Sequence, residues 1–270
     1  MSKIEKALRK AQSEKQKHSG KQSGSEIATS REIAVSKSGT HNEIAEMHDE
    51  KALSVPQMQE KKIIYPGMDD EQVANSFRDL RTKLLQTFKG DNFTVAITSC
   101  VKGDDSGFTT LNLATAFSLD KSKTSMFVDC NIEHPYVATQ LGIDYEFGLV
   151  DYLESNDMKV DKIIQSSGIN RLRVIASGVV NSDYSEYFTS QKMRSLLDEL
   201  KERYSDRYIF INAPSISDSA DAKILSEISD YTLLVVPYAK VTKGMIEEAV
   251  KSIEPDKFLG VVFNNSPSYL

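Results

Sequence analysis

The chain has 270 residues, with 33 Lys/Arg against 39 Asp/Glu and a net charge of −6 at pH 7. That is long enough for one large α/β domain with extensions, and its charge has the wrong sign for a generally basic nucleic-acid binder, so no nucleic-acid partner is expected. No apolar run approaches the roughly 18 residues of a membrane span and the N-terminus lacks the apolar core of a signal peptide, so a cytoplasmic location is expected, peripheral at a membrane only through a partner or the basic N-terminus.

The charge is uneven. Residues 1–24 carry seven Lys/Arg against Glu5 and Glu14, a balance of +5, which leaves about −11 for the remainder. Residues 1–16 place Ile4, Leu8 and Ala11 at helical spacing between charged faces, an amphipathic helix with a narrow apolar stripe. Alone it is marginal in water. The stripe fits either a frayed helix or a helix that docks on a partner, and its lack of aromatics argues against a membrane-surface role. Residues 17–61 are dominated by Ser, Lys, Glu and Gly and read as a flexible linker, because they offer little apolar surface to offset ordering entropy.

The texture changes at residue 62, and 62–270 reads as one domain. Val73, Phe77, Leu80 and Leu84 share a helical face, with Asp69 or Asp70 as N-cap. Strands are then expected at 93–98, 125–129, 171–176, 207–212, 231–237 and 258–264. Helices are expected near 109–119, 148–155, 158–166, 190–204, 219–228 and 243–252. Apolar strands alternating with amphipathic helices predict a mostly parallel sheet flanked by helices on both faces. The two cysteines, Cys100 and Cys130, each close a strand-like run without metal or disulfide spacing, and read as small buried hydrophobes. His18, His41, His48 and His134 show no ligand spacing.

Ligands of such sheets bind at the C-terminal ends of the strands, so the loops after 93–98, 125–129 and 207–212 matter most. The first, "SCVKGDDSGFTTLNLA" (99–114), joins a strand to a helix through glycines, the setting of a phosphate-binding loop. It has no lysine where such a loop places one, and it carries Asp104 and Asp105. A carboxylate about 4 Å from a phosphate charge costs roughly 1 kcal/mol in water and about 4 kcal/mol at an effective dielectric of 20.

"MSKIEKALRKA", "ANSFRDLRTKL", the 99–114 loop, "MFVDCNIEHP", "FGLVDYLES", "YIFINAPSISDSADAKILSEISDYTLLVV" and "LGVVFN" fall in the order and near the spacing of the bacterial tyrosine kinases. These are the cytoplasmic autokinase domains of capsule and exopolysaccharide systems. The resemblance covers residues 1–12 and about 65–265, and implies a P-loop NTPase-like fold. Family patterns like PGEGKST, DADLRRP and IIDTPP map onto 102–108, 129–135 and 209–215. The resemblance then places Ser106 at the lysine, Gly107 at the Mg²⁺-binding hydroxyl, Asp129 and Asn131 at the second motif's acids, and Asn212 at the third motif's aspartate. A two-residue slip instead sets Gly107, Phe108 and Thr109 on G-K-T, with Phe108 in place of the lysine.

By the same resemblance, Gly103, Ser106, Gly107, Phe108, Thr109 and Asn264 would surround a nucleotide if one binds. Asp129 is the residual metal ligand. The family's ExxRxxR contact helix becomes Asn75, Arg78 and Arg81, which keeps both arginines. A terminal tyrosine cluster is reduced to Tyr269. Asn264 also suits a plain strand-end hydrogen bond. Phosphoryl transfer depends on positioned charge, so the expectation is a pseudokinase with no intact catalytic residue, no required cofactor and no metal. It would be an adaptor on a membrane-embedded chain-length regulator (a polysaccharide co-polymerase) of the inner membrane, or on an active kinase relative, with a homo-oligomer as a further state. One alternative is an unorthodox ATP-binding autokinase using Lys102 and Asp129, with weak Mg-ATP or ADP binding. The other is a positioning protein of the deviant-Walker type.

Overall fold

The computed structural model describes residues 52–88, 92–102, 106–179, 186–203 and 207–265. The expected helix with Ile4, Leu8 and Ala11, most of the expected linker, and Gly103, Asp104, Asp105 and Tyr269 lie outside the described residues. Within them run strands β1 (Thr94–Ser99), β2 (Thr124–Asp129), β3 (Gln165–Ser166), β4 (Leu172–Ile175), β5 (Arg207–Asn212), β6 (Tyr231–Pro237) and β7 (Phe258–Asn264). They form one sheet in the order β3-β4-β2-β5-β1-β6-β7. Every neighbouring pair is parallel except β3 with β4.

The helices are α1 (Val55–Glu60), α2 (Glu71–Phe88), α3 (Ser106–Ser118), α4 (Tyr136–Leu141), α5 (Leu149–Glu154), α6 (Gln191–Glu202), α7 (Ala220–Ile228) and α8 (Lys243–Lys251). Side chains alternate along each strand and so feed two layers. Val95, Ile97, Phe127, Phe210 and Leu233 join α2, α3 and α4 in one core cluster. Met126, Val128, Ile209 and Ile211 join α5 and α6 in another. Leu234 and Val236 pack with Ala249 of α8. Every residue of β1, β2 and β5 is buried, as strands covered on both faces must be. The α/β, mostly parallel fold expected from the sequence is the fold observed.

Asp70 accepts from the Val73 N–H at 3.2 Å and caps α2. Ala74, Phe77, Leu84 and Phe88 of that helix are buried, while Val73 and Leu80 pack at the cluster's margin. A buried side chain of this size contributes about 1.5–3 kcal/mol.

Two expectations are corrected. Residues 52–61, read as the end of the linker, belong to the folded domain. The Ser54 N–H donates to Gln57 Oε1 at 2.8 Å as α1 begins, and Leu53 and Met58 pack against the main cluster. Averaging composition over a long Ser- and Lys-rich stretch hid these few apolar residues. The helix expected at 158–166 is instead a single 3-10 turn, Val160–Lys162, followed by the edge strand β3. Gly168 and Arg171, both at positive φ, turn the chain back so that β3 pairs antiparallel with β4.

Candidate functional site

The C-terminal ends of β1, β2 and β5 lie side by side, drawn together by backbone bonds. The Cys130 N–H donates to Asn212 O and the Ala213 N–H to Ile97 O, each at 2.9 Å. Above them opens a cleft of about 440 Å³. Its floor comprises Ser106 and Gly107 at the start of α3, together with Asn212. Its walls include Lys102, Asn131, Glu133, His134 and Tyr136 on one side and Ser215, Asp218, Ser219 and Asp221 on the other.

At the floor, three side chains form one chain of hydrogen bonds. The Ser106 hydroxyl donates to Asn212 Oδ1 at 3.2 Å. The Asn212 amide donates to Asp129 Oδ1 at 2.9 Å. Oδ2 of Asp129 accepts from the N–H groups of Tyr136 at 2.6 Å and Val137 at 2.8 Å, the first two of α4, where a carboxylate also meets the positive end of the helix. Oδ1 takes a longer bond, 3.4 Å, from the Asn131 N–H. Asp129 is wholly buried. Burial pushes its pKa from 3.8 up to about 6, against the opposing pull of its Val137, Asn212, Tyr136 and Asn131 donors.

The neutral amide of Asn212 is what makes this network possible. It accepts from one neighbour and donates to the other. An aspartate there would set two carboxylates against each other at hydrogen-bond distance, an arrangement that needs a cation or a proton between them.

Gly107 abuts Tyr136. A Cβ at position 107 would lie 2.3 Å from Cγ of Tyr136 and 2.4 Å from Cδ2, far inside contact distance. The tyrosine ring, nearly parallel to Phe127 with centroids 6.5 Å apart, therefore takes the space into which a side chain at 107 would project. Position 107 and position 136 are matched. No sequence signal named Tyr136, because the match exists only once α4 is docked against α3.

The remaining expected residues sit as follows. Phe108 is turned away from the cleft and packs edge-on against Phe77, with centroids 6.1 Å apart. That supports the ungapped register, with Ser106 and Gly107 facing the cleft, over the two-residue slip. Thr109 is buried in α3 and, like Asn264, does not line the cleft. Asn264 closes β7, its Oδ1 accepting from the Asn265 N–H at 3.0 Å. Arg78 stays on the exposed face of α2 and bonds Asn75 at 3.0 Å. Arg81 turns inward, donating to Ala116 O at 2.7 Å, and so ties α2 to the last turns of α3.

Lys102, considered as a stand-in cation, bonds Glu133 at 3.0 Å on the exposed rim of the cleft. Asp218 and Asp221 are cleft residues that the sequence did not single out. Burial, and then the nearby charge of Glu133, push the Asp221 pKa up. The Cys130 thiol is pushed well up by burial, by Asp129 and by Asp221, which leaves it an inert wall residue. The cleft is thus predominantly acidic, with Asp129 beneath it. Among the described residues no group of three or more His, Cys, Asp and Glu side chains is placed to hold a metal ion. No helix there is long and apolar enough to cross a membrane.

No family model matches the chain. Individual proteins do. It is 28% identical over 203 residues to the tyrosine-protein kinase YwqD of Bacillus subtilis, covering 73% of this chain and 84% of that one. It is 27% identical over 199 residues to EpsB of Ralstonia solanacearum, also named for tyrosine-protein kinase activity, covering 72% of this chain. The chain spans only about a quarter of the Ralstonia protein's length, 26%. Among solved structures, the kinase domain of the Escherichia coli tyrosine kinase ETK superposes with a TM-score of 0.64 at 23% identity, covering 73% of this chain and 78% of that domain. With the matched residues spread over about 70% of the chain and a shared fold beneath them, the chain is similar to the bacterial tyrosine kinases in sequence and in fold.

Proposed function

We propose that the chain is a non-catalytic relative of the bacterial tyrosine kinases, an adaptor in capsule or exopolysaccharide assembly that works through its surfaces. One observation carries this reading: Ser106, Asn212 and Asp129 are hydrogen-bonded to one another at the place where phosphoryl transfer needs a lysine, a metal and free carboxylates. Mg-ATP does not fit the residues present. Position 107 has no room for a hydroxyl beside Tyr136. Asn212 is neutral, and the oxygens of Asp129 are engaged by α4 and Asn212. Glu133, Asp218 and Asp221 add like charge against a polyphosphate. Among the described residues, the one Lys or Arg side chain lining the cleft, Lys102, is paired with Glu133.

The partner in this reading is a membrane-embedded chain-length regulator or an active kinase relative, which would hold the protein at the cytoplasmic face of the inner membrane. Calorimetric titration with Mg-ATP, together with phosphotyrosine detection on chain produced in a host without such kinases, tests it. The expected outcome is no saturable binding and no phosphotyrosine. Micromolar affinity or autophosphorylation would sink the proposal.

A further inference from the structure

Residues 53–65 run against α3 and α4, the two helices that border the cleft. The Leu53 N–H donates to Gly168 O at 2.7 Å. Ile63, Ile64 and Tyr65 are buried. On α3, Asn112 accepts from the Ile64 N–H at 2.8 Å and donates to Lys62 O at 3.2 Å and Phe108 O at 3.1 Å. On α4 the contact is reciprocal: Lys61 Nζ donates to Gln140 O at 2.8 Å, and Gln140 Nε2 donates back to Lys61 O at 2.5 Å.

α4 has only six residues, too few to hold a helix by its own bonds. Its position is set by what grips its ends. Asp129 grips the first turn through the Tyr136 and Val137 N–H groups. Lys61 and Gln140 grip the last. Tyr136, seated on Gly107, is the first residue of this helix.

We infer that residues 53–65 act as a strap that holds α4 in place and so keeps Tyr136 closed on Gly107, making access to the cleft floor depend on the grip of Lys61 and Gln140. The inference goes beyond the adaptor reading and does not depend on it. In a catalytic protein the same strap would be an autoinhibitory contact.

The test is hydrogen exchange on the full chain carrying Lys61→Ala and Gln140→Ala. Exchange of the Tyr136–Leu141 amides should rise about tenfold or more while the α7 amides keep their rates, as local opening requires. Unchanged exchange in α4, or a rise matched in α7, would overturn the inference. Should the double variant fail to fold, Lys61→Met alone is measured, with the same two outcomes. Because the chain contains no tryptophan, Tyr136→Trp supplies a second readout. Acrylamide quenching at that position should increase about twofold when the strap substitutions are added, as the ring leaves its seat. An unaltered quenching constant counts against the strap.

Discussion

Two aspartates stand at opposite ends of the sheet and are compensated differently. At the N-terminal ends of the strands, Asp230 accepts from the Thr94 N–H at 2.8 Å and takes Lys201 Nζ at 2.7 Å on both oxygens. Both side chains keep 35% of their surface exposed. At the other end Asp129 is dry and receives only neutral donors. The first arrangement is an ordinary half-exposed ion pair, which stabilises modestly. The second keeps a charge in the interior at a cost. Carboxylates held this way cluster at functional sites, and the hydrogen-bond donors to Asp129 are backbone N–H groups and the Asn212 amide.

The comparison breaks most visibly on truncation. Asp129→Ala leaves the Tyr136 and Val137 N–H groups and the Asn212 amide without their acceptor. Three such buried donors cost about 3–9 kcal/mol together. Relief of the carboxylate's own desolvation, about 3 kcal/mol for a shift of some two units, offsets part. A net loss of about 3 kcal/mol is expected in urea unfolding, a large share of a stability of about 5–15 kcal/mol. Asp230→Ala should lose about 1–2 kcal/mol, the sum of a half-exposed pair and the part-buried bonds from the Thr94 N–H and hydroxyl. Equal losses at the two positions would mean that the two ends do not differ as argued.

The next effect in size is on pH dependence. Burial holds the folded-state pKa of Asp129 at about 6, above the ordinary 3.8. Between these values the folded chain binds more protons than the unfolded one, so the contribution of Asp129 is fully present below pH 4 and is lost as pH rises through 6. The loss amounts to about 3 kcal/mol. Asp129→Asn should remove that slope from a pH series of urea midpoints, whereas Asp230→Asn should leave it. A slope that survives Asp129→Asn assigns the titration to another group.

Much of this was legible in the sequence, and the reason is local. Strands of the β1, β2 and β5 kind announce themselves because an apolar run of six between helices has few other fates. Ser106, Gly107, Asn131 and Asn212 were readable as residues of the cleft for the same reason: each closes or follows a strand whose end was clear. What the sequence hid is contact between distant segments. Tyr136 opposite Gly107, Lys61 against Gln140, and Arg81 turned onto Ala116 each join segments from 29 to 79 residues apart. Asp218 and Asp221 carry no motif, and became cleft residues only through the turn after β5. The strap was lost to averaging, since three or four apolar side chains decide its fate within a long polar stretch.

The match between Gly107 and Tyr136 gives a third, smaller test. Gly107→Ala forces a methyl against the ring, an overpacking cost of about 2 kcal/mol. In a Tyr136→Ala background the same substitution should cost less than about 0.5 kcal/mol, so a double-mutant cycle returns most of the penalty as coupling. A penalty that persists without the ring would place the obstruction elsewhere. The result also governs any attempt to rebuild a phosphate site: Gly107→Thr requires a smaller residue at 136 before its hydroxyl can reach the cleft.

The smallest expected effect concerns the cleft mouth. Lys102 and Glu133 bond at 3.0 Å, but their side chains are 63% and 50% exposed, so water and salt screen the pair. Lys102→Ala should change stability by less than about 0.5 kcal/mol, against about 3 kcal/mol for Asp129→Ala, although both residues belong to one cleft. That contrast separates the mouth, where charge is cheap, from the floor, where it is not. It also bears on the alternative in which Lys102 serves a nucleotide with Asp129. In that case Lys102→Ala would weaken Mg-ATP binding by about tenfold or more, the worth of one charge-assisted contact of about 1.5–3 kcal/mol. A lysine that merely pairs with Glu133 on the rim leaves the titration flat in both proteins, and a measurable drop in affinity on its removal would return the cleft to the nucleotide-binding class.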